Sequence, residues 1–267
     1  MTLTPLIKKF TNTQELIEYV ASLAHTPKHA LTAERLLTGG RKAAQARLTG
    51  LDAVAYGRTR NHLDGQVTRL SPYIRHGIVT LNEVRNLALD SGAPRKQIEK
   101  FIQELGWRDF WQQIYDTDPD CLWVDIEAYK TGFQPQDYAD TLPDDIAHGQ
   151  TGIACLDQFI ETLLGTGYLH NHARMYLAAY VVHWRRVKWQ AGASWFLHHL
   201  TDADPASNNL SWQWVASTFS NKPYFFNLEN VAKFSGPDII TEPKLNLPLA
   251  SSYEAWVKKL FPYMDAT

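Results

Sequence analysis

The chain has only two cysteines in 267 residues, Cys121 and Cys155, too few for a disulfide framework or for ligating an iron–sulfur cluster by themselves. It also lacks a long hydrophobic run. The longest, Met175–Val182, is too short to span a bilayer and is bounded by Arg174 and His183. The amino-terminal MTLTPLIKKFTNTQELIEYV has no continuous apolar core of the kind a signal peptide carries, so a cytoplasmic location and no membrane partner are expected. No stretch alternates apolar and polar residues, and no Gly-rich loop follows a strand pattern, which argues against a doubly wound sheet. Nor is there an HExxH or equivalent metal motif. The letters HNH at 170–172 do not supply one, because i, i+2 spacing points His170 and His172 to different helix faces. His198 and His199, near Asp202 and Asp204, would have to converge with them, and no metal site is expected.

What the chain does have is aromatic: 9 Trp, 12 Tyr and 11 Phe. A bulky core accounts for any single Trp, less well for so many beside polar motifs. At 45% hydrophobic and 20% charged the balance is that of a soluble globular protein. The net charge is −2, but residues 1–110 carry 16 Lys/Arg against 10 Asp/Glu, and residues 111–267 carry 10 against 18. The first part can therefore attract a polyanion that the second repels.

Helical periodicity dominates. Gln14–Ala24 gathers Leu16, Ile17, Val20, Leu23 and Ala24 on one face, and Gln97–Tyr115 repeats apolar residues at 98, 101, 102, 105, 110, 111 and 114. Leu156–Leu164 and an unbroken His170–Trp189 continue the trend. Ser71-Pro72 predicts an N-cap followed by Pro at the first helical position. The stretches 50–68, 116–151 and 236–252 are weakly helical, and Pro237, Pro243 and Pro248 make the last an extended segment before a helix near Tyr253–Leu260. The expected fold is all-α: one helical domain over 1–235 and a C-terminal extension over 236–267.

The richest stretch runs from Gly167 to Trp214. Asn171, Arg174 and Met175 at i, i+3 and i+4 share one helix face. Asp202, Asp204, Asn208, Trp212 and Trp214 follow within thirteen residues. An Arg with Asp partners, amides and spaced indoles suits a bound aromatic cofactor better than hydrolysis. Arg174 and Asp202 would neutralise each other if buried, and Asn208 can both donate and accept at a heterocycle. Upstream, Thr68 and Ser71 sit just before a Pro-started helix whose free N–H groups would suit a phosphate, and Arg69 and Arg75 add positive charge. In IQELGWRDFWQQIY, Glu104 and Arg108 form an i, i+4 pair beside Trp107 and Trp111, where a carboxylate next to an indole can hold a planar base.

Taken in order, YGRTRN, TRLSPYIRHG, ELGWRDF, the Thr151-Gly152 pair, GYLHNHARM, the W-x-x-G of Trp189–Gly192 and DADPASNNLSWQW resemble the photolyase/cryptochrome flavoproteins, specifically their helical FAD-binding domain, over roughly Arg35 to Phe226. The resemblance implies FAD as cofactor, with Tyr56, Thr68, Arg69, Leu70 and Ser71 around its phosphates and ribityl chain. It implies flavin contacts for Asp202, Asp204 and Asn208, with Arg174 paired to Asp202 and Asn171 nearby. Trp212 and Trp189 match the inner members of a tryptophan chain that photoreduces the flavin. Glu104, Trp107, Asn171, Met175 and Trp214 match the pocket for a flipped pyrimidine dimer. The implied activity is blue-light-driven electron transfer from reduced FAD to a cyclobutane dimer, a lyase reaction of DNA repair.

The departures are specific. The family's N-terminal α/β domain has no counterpart in these residues, so no antenna chromophore is expected. Val67 stands for a usual Thr, His172 for a common Arg, and Phe226 for a phosphate-contacting Arg. The outermost Trp has no clear counterpart, with Tyr138 or Trp123 as stand-ins. Expected partners are DNA containing pyrimidine dimers, single- or double-stranded, and a protein supplying an antenna or receiving a signal. The alternative implied by the same resemblance is a cryptochrome-like photoreceptor that signals without repair.

Overall fold

The computed structural model describes residues 6–24 and 37–264; Arg35, where the family-like stretch begins, lies outside them. Among the described residues the architecture is helical, and the one β-type pairing is an isolated parallel bridge between Ala139 and Val187. In chain order the helices are α1 (Thr13–Ala24), α2 (Arg41–Thr49), α3 (Ala53–Thr59), α4 (Ser71–Arg75), α5 (Leu81–Leu89), α6 (Arg95–Thr117), α7 (Asp144–Ala147), α8 (Ala154–Thr166), α9 (Asn171–Ala179), α10 (Trp189–His199), α11 (Pro205–Ala216), α12 (Leu228–Phe234) and α13 (Tyr253–Leu260).

Local chemistry sets many of these boundaries. Thr80 and Glu83 close a capping box on α5. Gly167 ends α8 in the left-handed region at φ 67°, where a side chain would be strained. Asp204 caps α11, with Pro205 at its first position. α3 forms inside a stretch whose sequence looked weakly helical, because the Asp52 carboxylate accepts from the Val54 and Ala55 N–H groups.

Two helix expectations are corrected. Ser71 is not an N-cap: it is the first residue of a five-residue helix, with no side-chain cap bond there, and its hydroxyl is spent on Asp202. The helix expected to run from His170 to Trp189 is also broken. A π turn at Tyr180–Trp184 follows α9, Arg186 takes a left-handed φ of 50°, and α10 restarts at Trp189. The apolar period hid this break because Val187 and Trp189 are both fully buried.

The main core lies between α8, α9 and α10, with Tyr176, Phe159, Phe196, Trp189 and Phe226 among its fully buried side chains. Phe226 therefore cannot stand where an Arg reaches a phosphate. It packs on Tyr176 and Trp184 at ring distances of 4.7 and 5.0 Å, and Asn227 after it caps α12. Beyond residue 235 the chain folds back: buried Asn246 accepts from the Cys155 N–H at 3.0 Å, Leu249 joins the main core, and Trp256 of α13 packs on Trp184.

Burial also keeps two histidines neutral. His183 Nε2–H donates to the Val215 carbonyl at 3.0 Å, and burial pushes its pKa down to about 3. Burial, with His172 and the charges of Arg174, Arg69 and Arg60, pushes His170 down to about 4. The unfolded chain takes up these protons below about pH 6.5 while the folded one does not. Stability is therefore complete above that value and falls with pH, by about 1.4 kcal/mol per unit for each histidine. A thermal-denaturation series from pH 7 to 4 should show Tm dropping through this window; a flat Tm would contradict the two neutral, buried imidazoles.

Candidate functional site

One cavity of about 680 Å³ opens among α3, the 67–71 segment, α6, the start of α9, residues 200–204 and α11. That is the size range of cofactor sites. Of the site residues expected from the sequence, Tyr56, Thr68, Arg69, Leu70, Ser71, Glu104, Trp107, Asn171, Arg174, Met175, Asp202, Asp204, Asn208, Trp212 and Trp214 all line it; Trp189 does not.

The floor is polar. Arg174 Nη2 donates to Asp202 Oδ2 at 2.9 Å, the Ser71 hydroxyl donates to the same oxygen at 2.5 Å, and Arg174 Nε is held by the Leu169 carbonyl at 2.8 Å. Burial pushes the Asp202 carboxyl up, but the Arg174 charge and hydrogen bond, Ser71 and the charge of Arg108 outweigh it and hold the group below its ordinary value. Its other oxygen, Oδ1, is buried and has no partner among the described residues. Ser207 Oγ, Trp212 Nε1 and His170 Nε2, also on the cavity wall, share that condition. Such groups are costly unless something polar meets them.

Asp204 differs from its neighbour. Its carboxylate accepts from the Ser207 N–H at 3.0 Å, from Gln112 at 2.9 and 3.0 Å, and from Arg108. The i, i+4 pairing of Glu104 with Arg108 does not form. Arg108 faces the start of α11, where Asp204 would otherwise be an unpaired buried charge, and Glu104 turns to Arg60 at 3.3 Å and Lys100 at 2.9 Å. Asn208 donates to the Ala193 carbonyl and to Asn209 Oδ1, so both amide hydrogens are used and its carbonyl oxygen is the group left for a ligand.

Arg69 has a φ of 50°, unusual for a residue with a Cβ. The turn it makes buries Leu70 and presents Ser71 to Asp202. Its guanidinium lies over the Tyr168 ring at 5.2 Å, and that of Arg174 is 5.9 Å from the same ring. Tyr56 meets Phe101 edge-on at 5.0 Å; burial and the Glu104 charge push its hydroxyl up to about 12.

The mouth is aromatic. Trp107 is 47% exposed and stacks on Trp111 with centroids 5.2 Å apart, while Trp214 is 38% exposed. Asn171 and Met175 adjoin, Nδ2 to Sδ 3.7 Å, as their helical spacing predicts.

Behind the cavity, the W-x-x-G motif acquires a physical reason. A Cβ on Gly192 would lie 2.2 Å from the Trp212 ring, so only glycine lets that indole settle on α10. Trp189, one turn earlier, is fully buried, and Trp123 lies parallel to it, with planes 9° and centroids 6.5 Å apart, at 46% exposure. Tyr138 is buried and stacks on Tyr129 instead.

Several residues escaped the sequence reading. Arg108 and Gln112 hold Asp204, and Tyr168 spaces two arginines. Asn209 and Gln213, both fully buried, hold backbone of the 121–127 loop. The signal for the last two was there: polar amides inside an apolar, Trp-flanked helix. Among the described residues no cluster of His, Cys, Asp or Glu could hold a metal.

The family model described as the FAD-binding domain of DNA photolyase matches residues 101–237. Deoxyribodipyrimidine photo-lyase of Streptomyces griseus is 35% identical over 184 residues, 67% of this chain and 38% of that protein. The enzyme of the same name from Alkalihalophilus pseudofirmus is 33% identical over 164 residues, 61% of this chain and 34% of that protein. The chain thus spans less than half the length of these relatives. Among solved structures, an archaeal photolyase from Sulfolobus tokodaii with two FAD molecules superposes with a TM-score of 0.65 at 25% identity, over 86% of this chain and 56% of that one. A Synechocystis cryptochrome superposes with a TM-score of 0.64 at 20% identity, over 86% and 47%, and shares the fold.

Proposed function

The chain belongs to the family of photolyase FAD-binding domains, and from that premise we propose that it binds FAD in the central cavity and repairs cyclobutane pyrimidine dimers in DNA under blue light. The observation that carries this is the joining, in one cavity, of an unpartnered buried acceptor at Asp202 to an open mouth built from Glu104, Trp107 and Trp214. FAD, when bound, supplies light absorption and one-electron transfer. The chain's residues do the rest. Asp202 Oδ1 and the Asn208 carbonyl offer acceptors to N–H groups of a heterocycle. Arg174, kept in place by Asp202 and Leu169, provides positive charge beside a ring system that gains an electron. Thr68, Arg69 and Ser71 take the phosphate and ribityl side, with Tyr56 and Leu70 packed behind them. Asp204, already saturated by Arg108, Gln112 and Ser207, fixes the start of α11 and hence Asn208 and Trp212.

At the mouth, Trp107 and Trp214 offer stacking faces to an extruded pyrimidine dimer, Asn171 and Met175 line the wall, and Glu104 accepts from a base. Glu104→Ala should lower dimer turnover by about 10- to 100-fold, the worth of one charged hydrogen bond, with the flavin spectrum unchanged. Dimer-repair assays beside absorption spectra check this; unaltered turnover would remove Glu104 from the substrate site.

Trp212, Trp189 and Trp123 form the electron path from the surface to the cavity, and the parallel stack on Trp189 favours Trp123 over Tyr138 as the outer member. Trp123→Phe should slow flavin photoreduction in the presence of a thiol, while Tyr138→Phe leaves it near wild type; the reverse result would reroute the path. Affinity for DNA should be modest and salt-dependent, given a net charge of −2.

The deciding experiment illuminates the purified protein with dimer-containing DNA. Light-dependent dimer loss supports repair. Photoreduction without dimer loss would make the chain a photoreceptor acting on a protein partner.

A further inference from the structure

Trp189 is fully buried, and its indole N–H donates to Asp125 Oδ1 at 2.6 Å. Gln190 reaches the same oxygen and the Trp123 carbonyl, both at 3.3 Å. A neutral carbonyl would satisfy an indole N–H as well, at a lower desolvation cost than a half-buried carboxylate. Among the described residues no Lys or Arg forms an ion pair with Asp125, so its charge does not serve a salt bridge. The loop that carries it is fixed with care: Asn209 holds the Leu122 carbonyl at 2.6 Å, and Gln213 holds the Cys121 and Val124 carbonyls and the Ile126 N–H at 2.6, 3.3 and 3.0 Å. Those two buried amides place a carboxylate on Trp189 and an indole, Trp123, parallel to it.

We propose that Asp125 is the proton acceptor for Trp189 when that indole is oxidised by one electron. This rests on the reading that Trp189 lies on the photoreduction path. Trp189 gives one electron to oxidised Trp212, whose own electron was taken by light-excited flavin, the oxidant. The resulting indole cation would be a buried charge, and its Nε1 proton moves along the existing hydrogen bond to Asp125. The products are a neutral indolyl radical and a carboxylic acid. One electron then crosses from Trp123 to Trp189 as the proton returns from Asp125, which restores both groups and leaves the oxidised site on Trp123, where a thiol in solution fills it. The transient loss of the proton makes the inward electron transfer harder to reverse.

The test is laser-flash absorption on the flavin-loaded protein, comparing wild type with Asp125→Asn, Asp125→Glu and Trp189→Phe. Asparagine keeps an acceptor oxygen but cannot take the proton. Expected in wild type is a neutral indolyl-radical band whose rise slows in D2O. In Asp125→Asn that band should give way to the cation band, with no D2O effect and faster return of the electron. Asp125→Glu should restore the neutral band. An unchanged neutral-radical band in Asp125→Asn, with photoreduction abolished in Trp189→Phe, overturns the role of Asp125 alone. Undiminished photoreduction in Trp189→Phe overturns the path and this inference with it.

Discussion

Asp202→Ala is expected to leave the protein without flavin and less stable by about 3 kcal/mol, the lower end for removing one partner of a buried pair. The pair is well enclosed: the Asp202 side chain is 4% exposed and that of Arg174 22%. Alanine strands the Arg174 guanidinium, frees the Ser71 hydroxyl and removes the acceptor that faces the cavity. Asp202→Asn separates these effects. The amide keeps one oxygen but no charge, so Arg174 remains partly unpaired and positive charge near the ring system goes unbalanced. Flavin absorbance per protein, read together with denaturant midpoints, checks both variants. Full flavin content in the alanine variant would move the cofactor away from this carboxylate. Acid should mimic the substitution, since a carboxyl held below its ordinary value contributes stability above the unfolded-state value, about 3.9 for Asp, and loses it as pH falls through its lower folded value.

Gly192→Ala should do comparable damage by adding one carbon. The new Cβ falls 2.2 Å from Cη2 and 2.4 Å from Cζ3 of the Trp212 ring, far inside contact distance, and that ring is 2% exposed with Phe196 edge-on at 5.0 Å. Neither α10 nor the indole can yield without disturbing the other, so overpacking of about 1–3 kcal/mol is expected. The helix-forming preference of alanine returns at most about 1 kcal/mol. The functional loss should be larger than the loss of stability suggests, because displacing Trp212 alters both the cavity wall and the inner end of the electron path. Thermal denaturation and flash photoreduction on the same sample distinguish the effects; wild-type values in both would mean that the ring relaxes freely.

These two sites also mark how far the sequence could be read. The face shared by Asn171, Arg174 and Met175 followed from helical spacing, and the Arg174–Asp202 pair from the need to neutralise a buried charge. The partner of Arg108 did not follow. An i, i+4 rule applies to an isolated helix surface, whereas α6 presents Arg108 to Asp204, the cap of α11, and Glu104 to Arg60 just past α3. The break before Trp189 was invisible because residues on both sides of it are buried and so preserve the apolar period. Phe226 was expected at a phosphate-contacting position, and only its complete burial shows that it belongs to the core. Asp125 carried no signal at all: one acid among nine between Asp116 and Asp145, it is distinguished solely by the indole it meets.

The clamp made by Asn209 and Gln213 reads only backbone. Its partners are the carbonyls of Cys121, Leu122 and Val124 and the N–H of Ile126; no side chain of the loop takes part. The clamp itself is therefore independent of what residues 123 and 125 carry, while α11 is bound on two faces at once, with Asn208 and Trp212 toward the cavity and Asn209 and Gln213 toward the loop. An inserted residue would turn everything beyond it by about 100° and spoil both. Variation should consequently be rare in α11, at the buried Cys121 and Leu122 and at Asp125, and frequent at the exposed position 123, which makes that position an exchangeable terminal: a tyrosine, a redox label or a wired electrode tether there would meet Trp189 from the same backbone without redesign of the domain.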